Sequence, residues 1–473
     1  MEQANQGTAF RLSNFPRAAV VVALSAATLG IIYGYDQSNI GGAQLFFEAD
    51  LDLDTQQVEL VTTMVVYGEL IGAVMGGLII NRLGRKTSIL GVAVGYALFC
   101  ALSAVSVSAQ MLGITRFFLG LTIGISLIAV PVFVAESVPA RVRGATLVMY
   151  QVATVIGIIL GYLFSFGLSS VDQSINWRLM LGIAAVPALV LIPVLMRLPE
   201  TSRWLMMKGR VDDARASILV TDPDADVEAE VAAIEHTLRK ESGGAIREML
   251  RKPFLRATVF VVLLGFFIQI TGINATVTYG PKIFQAMGAT SNAQSIGLAL
   301  LVQVIALIAV LVSMTKIDNW GRRPVLLSGI AIMIVAQLIM VAVFATQQGD
   351  EFSTLQVVFG FIGLALINVG FVFGFGSLVW VYSTESFPDR LRSYGSSAML
   401  GSDLIANIII AQFFLTVMAT IGGAWSFGIF AILAAIAWLF VLKFAPETKG
   451  RDLDDIQVFW ENGGTWPADE KRP

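Results

Sequence analysis

NRLGRKT, residues 81–87, returns as DNWGRRP at residues 318–324. Two further segments repeat in the same order. ESVPARVRG (136–144) returns as ESFPDRLRS (385–393), and LPETSRW (198–204) as APETKGR (445–451). One short basic motif can recur by chance, but three in register mark a duplicated unit.

The sequence between the motifs says what that unit is. The chain has 473 residues, 56% hydrophobic and 14% charged, against roughly 25% charged in soluble domains. Apolar windows of 18 or more residues recur along it, each long enough to cross a hydrocarbon core of about 30 Å. Twelve are read: 18–40, 58–80, 88–108, 110–135, 145–169, 179–197, 255–280, 294–315, 325–346, 355–381, 394–418 and 425–443. Six precede the one long polar segment and six follow it. The predicted fold is an all-α polytopic membrane protein of twelve transmembrane helices in two six-helix bundles. A short cytoplasmic helical domain lies between them. The boundaries are a cytoplasmic N-terminus 1–17, a first bundle 18–198, the linker domain 199–254, a second bundle 255–445 and a cytoplasmic tail 446–473. Parallel halves of this kind form transporters with a midplane site.

Basic residues set the orientation. Of 31 Lys and Arg, all but Arg116, Arg178 and Lys282 fall on the termini and one alternating set of loops. The opposite loops are neutral or acidic, as in FFEADLDLD (46–54) and QQGDEF (347–352). The positive-inside rule then puts both termini and the linker in the cytoplasm of a cell membrane. The start MEQANQGTAFRLSNFP leads into a full-length span and has no cleavable-signal pattern. Cys100, the single cysteine, excludes an intramolecular disulfide and reads as a small core residue; His236, the single histidine, reads as solvated.

All the repeated motifs lie at cytoplasmic span ends, where acids and bases coincide. In the first half Arg82, Arg85, Arg141, Arg143 and Arg203 are near Glu136 and Glu200 in this map. In the second half Arg322, Arg323 and Arg392 are near Asp318, Glu385 and Glu447. Interfacial anchoring would need only one basic loop. Paired acids and bases in both halves favour a breakable ion-pair network that holds a cytoplasmic gate shut.

Together GYD (34–36), NRLGRK, RFFLG (116–120), ESVPARVRG, PETSRW, QITGIN (269–274), DNWGRR, ESFPDRLR and PETKG resemble the sugar porter family of the major facilitator superfamily over nearly the whole chain. The resemblance implies the two-bundle fold and a sugar site at Gln151, Gln269, Asn274 and Trp380, with Tyr279 in the outer, gating part of span seven. Carboxamides both donate and accept, as sugar hydroxyls do, and an indole face packs on the C–H face of a pyranose. Gly272, Gly374 and Gly376 would let the helices break there. The chain departs from the family pattern at Ile268, at Ala306 (with Gln303 one turn away) and at Asp403-Leu404. No proline precedes Trp380 in GFGSLVW. Asp403 is added to the candidate substrate contacts, either gripping vicinal hydroxyls or recognising an amine; packing against a neighbouring span is the alternative.

Asp36 stands inside an apolar run, where a charge costs about 2.5–3.5 kcal/mol. Arg116 on span four is its candidate partner. Low dielectric disfavours a carboxylate's charge and a nearby arginine favours it, so protonation can follow conformation. The resemblance implies the same: proton-coupled members carry Asp at this position, uniporters Asn. Glu69 and Asp403 are rival proton sites. The reading is therefore import of a monosaccharide with a proton, by a monomer, with no cofactor and no metal. A uniporter, a polyol or aminosugar porter and a non-transporting sugar sensor are the alternatives. A multidrug antiporter would tend towards an apolar, aromatic pocket. No metal-spaced cluster, phosphate loop or nucleophile–base pair suggests an enzyme.

Overall fold

A computed structural model describes residues 17–138, 140–223, 225–240, 245–347, 352–451 and 453–466. The side chains of Arg141, Arg143 and Asp318 lie outside those described. Among the described residues the regular structure is entirely helical. The first five spans are α1 (Arg17–Asp50), α2 (Thr55–Leu83), α3 (Arg85–Ala104), α4 (Ala109–Ser137) and α5 (Ala140–Leu168). The sixth is two pieces, α6 (Gln173–Ile183) and α7 (Ala185–Arg197). Four short helices form the linker: α8 (Ser202–Met207), α9 (Val211–Thr221), α10 (Val227–Lys240) and α11 (Ala245–Met249). Span seven is three pieces, α12 (Leu255–Ile270), α13 (Ile273–Thr278) and α14 (Gly280–Ala286). Then come α15 (Asn292–Trp320), α16 (Arg322–Ala345), the broken pair α17 (Thr354–Phe373) and α18 (Phe375–Glu385), α19 (Asp389–Phe444) and α20 (Leu453–Glu461).

Among the described residues eleven helical segments are long and apolar enough to cross a membrane. The last, α19, runs 56 residues, and Gly422 inside it is non-helical (φ 83°, ψ 162°). A straight helix of that length would span about 84 Å, far beyond a bilayer. It is therefore two spans joined at Gly422, where the sequence map leaves a gap between 418 and 425. Polar caps start several spans: Asp54 and Ser353 form capping boxes with Gln57 and Gln356.

The halves pack by close helix approach. A Cβ at Gly120 of α4 would lie 1.9 Å from the Val65 carbonyl oxygen of α2, so only glycine lets these backbones touch. One consequence is that Glu69, next along α2, is 4% exposed. Sequence reading treats the segment after span twelve as a tail. The structure folds it as α20, whose Ile456, Phe459 and Trp460 are buried, with the Trp460 ring 5.3 Å from Phe260 of α12. The wide spacing of its apolar residues is the helical signal.

Candidate functional site

Asp36 on α1 and Arg116 on α4 meet as a bidentate pair: Arg116 Nη1 donates to Oδ1 at 2.6 Å and Nη2 to Oδ2 at 3.2 Å. Arg116 is fully buried and Asp36 is 3% exposed. The fork geometry of guanidinium and carboxylate is the arrangement that makes a buried pair tolerable. The remaining Arg116 donor, Nε, has no hydrogen-bond partner. Tyr96 and Cys100 of α3 sit within reach of the pair's charge. Glu69 feels the charges of Asp36, Arg116 and Asp403.

The break in span seven lies at Gly272, whose φ is 91° and whose Cβ would strike the Phe430 ring at 2.6 Å. The carbonyl freed there is not orphaned, because Gln337 Nε2 of α16 donates to Thr271 O at 2.7 Å. The break separates Gln269, 9% exposed, from Asn274, which is half-buried. The Gln269 side chain lies beside Asp403 of α19. Two atoms of that pair, Gln269 Oε1 and Asp403 Oδ1, are buried without a partner. Gln151 of α5 is half-buried. The break at Gly374 separates α17 from α18. On α18, Leu378, Val379 and Tyr382 pack inward, while Trp380 stands on the opposite face, 43% exposed. Gln303, the near-substitute for a missing asparagine on span eight, instead donates to Asn368 at 3.3 Å; Asn368 in turn donates to Thr276. That chain belongs to the interior of the second half.

Tyr279 is a plug, not a wall of the site. It is fully buried, its hydroxyl donates to Ala411 O at 2.5 Å and its ring stacks on Phe414 at 5.7 Å. At this end, which carries the acidic connections, the two halves are bridged repeatedly. Gln44 Nε2 donates to Thr278 O at 2.8 Å, and the Tyr162 hydroxyl donates to Val277 O. Lys282 Nζ meets Glu48 at 2.5 Å. Glu59 of α2 accepts from the Thr416 amide at 2.8 Å and from its hydroxyl at 2.5 Å.

At the basic end, described contacts join the repeated motifs of each half to one another. Arg85 meets Glu136 at 3.0 Å, and Arg203 lies 3.8 Å from Glu136. Arg82 is exposed and stands apart from the cluster. Glu200 corrects its expected role as an ion-pair partner. Its carboxylate accepts the backbone amides of Arg85 and Lys86 at 2.9 Å and of Thr87 at 3.4 Å. It caps the start of α3, which has no side-chain cap of its own. Gly84 (φ 106°) makes room, since a Cβ would lie 2.2 Å from Glu200 Oε2. Glu447 does the same in the second half, accepting the amides of Arg322 at 2.9 Å and Arg323 at 3.1 Å. Glu385 lies beside Thr448, Arg322 and Arg392.

Sequence reading missed Glu59, although it lies within a predicted span and the same rule that singled out Asp36 applies to it. Tyr33, half-buried near Gln37, Glu69 and Asp403, was also missed. So was Asn39, one turn beyond Asp36, 1% exposed with neither amide atom bonded. A polar residue on an apolar span is the signal for each.

A buried ion pair, two broken helices carrying carboxamides, and duplicated six-helix halves joined at one end define a membrane transporter. The family model "Sugar (and other) transporter" matches residues 22–460, and the chain belongs to that family. It is 31% identical to the galactose-proton symporter of Escherichia coli K12 over 92% of this chain and 93% of that one. It is 29% identical to probable polyol transporter 6 of Arabidopsis thaliana over 95% of each chain. The fold matches the xylose transporter XylE from E. coli in its inward open conformation. The TM-score is 0.79 at 23% identity, covering 94% of this chain and 100% of that one.

Proposed function

We propose that the protein imports a monosaccharide together with a proton by alternating access, as a monomer, without enzymatic chemistry. The basic end faces the cytoplasm and the acidic end the exterior. The observation that carries the reading is the Asp36–Arg116 pair, a charge couple sealed within an apolar bundle. In the described conformation the outer ends are locked together, so the site at Gln151, Gln269, Asn274, Trp380 and Asp403 serves an inward-facing state. The Asp36–Arg116 pair is made in that state. Opening outward exposes Asp36 to external protons. Protonation weakens its hold on Arg116, and sugar binding draws the halves together over the occupied site. Return to the inward state re-forms the pair and expels the proton. The motif clusters at the basic end close the cytoplasmic side in the opposite state.

The test is to add candidate monosaccharides and polyols to de-energised cells in weak buffer while recording external pH. Prompt alkalinisation with one of them, absent in Asp36→Asn, is expected. Labelled-sugar exchange in proteoliposomes without any pH change would make the protein a uniporter and Asp36 a structural pair.

A further inference from the structure

We propose that Asn39 holds the transported proton on Asp36: once protonated, Asp36 exchanges Arg116 for the Asn39 carboxamide. This deepens the proton half of the reading above and rests on Asp36 as the proton site.

The carboxamide itself is the first observation. Asn39 is 1% exposed, and neither its Nδ2 nor its Oδ1 has a hydrogen-bond partner. Leaving both ends of a buried amide unbonded is costly, and an apolar residue at this position would avoid the cost. Use in another state of the cycle explains a group that is idle in this one.

The second observation is the direction in which α1 carries it. One side of α1 is given to α5: a Cβ at Gly34 would strike Thr154 O, and one at Gly161 of α5 would strike Ser38 Oγ. Gln44 reaches span seven at Thr278 O. The remaining side faces the interior of the first half. There the Ile32 carbonyl accepts from the Tyr96 hydroxyl of α3 at 3.3 Å, Asp36 meets Arg116 of α4, and the Phe47 ring lies 6.0 Å from Trp177 of α6. Asn39 follows Asp36 by three residues on this side of an unbroken helix. Residues at that spacing have Cβ atoms about 5–6 Å apart, so two short side chains meet by a change of rotamer.

The hydrogen-bonding sense is the third. A carboxylate only accepts and a guanidinium only donates, so the ionised form of Asp36 suits the fork with Arg116. A carboxylic acid carries one O–H and one carbonyl oxygen, and a carboxamide carries N–H donors and a carbonyl oxygen. The two close a ring of two bonds, Asp36 O–H to Asn39 Oδ1 and Asn39 Nδ2–H to the other Asp36 oxygen. The proton comes from external water, and re-forming the fork returns it to cytoplasmic water. The titratable groups facing Asp36 from neighbouring elements are Arg116 on α4, Tyr96 and Cys100 on α3 and Glu69 on α2, with Tyr35 on α1 itself. Arg116 cannot accept the acid's proton, and the Tyr96 hydroxyl is spent on Ile32.

The experiment is infrared difference spectroscopy of the purified full-length protein, titrated from about pH 10 to about pH 5 without any sugar. Subtracting Asp36→Asn isolates the acid C=O stretch of Asp36. In Asn39→Val that band should move to higher frequency, because the acid has lost its hydrogen bonds. The pH at which it is half-developed should fall by about one unit, a tenfold loss of proton affinity on the scale of two neutral hydrogen bonds. Asn39→Ala gives the same two readings if valine prevents folding. Asn39→Thr, whose hydroxyl both donates and accepts, should recover part of each change. An unmoved frequency and midpoint would overturn the proposal and make Asn39 a structural residue. A midpoint that rises would overturn it too, since Asn39 would then favour the carboxylate. If no acid band disappears in Asp36→Asn, Asp36 is not the proton site and the proposal falls with that reading.

Discussion

Glu59→Gln should loosen the outer closure by a predictable amount. The Glu59 carboxylate holds two donors of Thr416 across the halves, at 2.8 and 2.5 Å. Glutamine keeps an oxygen for the Thr416 amide, and its NH2 group can donate to the Thr416 hydroxyl, so both bonds become neutral, a combined loss on the scale of one charge-assisted bond. Such bonds contribute about 1.5–3 kcal/mol. The contact exists only while the outer ends are together, so the whole loss biases the conformational equilibrium. That shifts the outward population by about 10- to 100-fold. The assay is labelling of Ala411→Cys by a membrane-impermeant thiol reagent from outside. Ala411 is 5% exposed beneath Tyr279, and the native Cys100, at 1%, provides a silent background. Labelling should quicken by at least about tenfold when Glu59→Gln is added. An unchanged rate in a transport-competent double variant would refute the idea that Glu59 latches the gate.

Asp36→Asn should retain sugar exchange and lose accumulation against a gradient. It should also lower stability by about 3 kcal/mol, the low end for breaking a buried pair, because Asn keeps one acceptor for Arg116; thermal unfolding of the purified variant checks the second part. Gly84→Ala forces a Cβ into a left-handed position and against Glu200 Oε2, costing at least about 1–2 kcal/mol, read as a lowered melting temperature. Gly321→Ala should behave alike against Glu447. At the outer surface, the Ser174 hydroxyl and amide hold the Asp172 carboxyl below its usual range. Its contribution is therefore present above about pH 4 and lost as pH falls through the lower folded value. Asp172→Ala should flatten that part of an acid unfolding curve.

Much of this architecture is legible in the sequence because it depends on local composition. Apolar length gives the spans, glycine beside a carboxamide gives the break at Gly272, and a lone carboxylate with a lone intramembrane arginine gives the Asp36–Arg116 pair. What is illegible depends on distance along the chain. Glu200 and Arg85 read as opposite charges in neighbouring motifs. Nothing local says that Glu200 will prefer the orphan amides at the start of α3 to a guanidinium. Glu59 and Thr416 lie in different halves, and no pattern within either links them. Tyr279 lies at the end that carries the acidic connections, beside the contacts that join the halves. Whether it lines a cavity or plugs it depends on a conformation that the sequence does not encode singly.

The docking of α20 has a consequence for biosynthesis. Phe260 leaves the ribosome at the start of the second half, but its contact with Trp460 can form only after all six spans of that half have been made and inserted. Until then Phe260, though packed by Tyr382 and Phe440, lacks its Trp460 cover at the basic end of α12. That contact therefore reports that the half is complete, and a chain stalled before α20 lacks the cover, a difference by which quality control can recognise it.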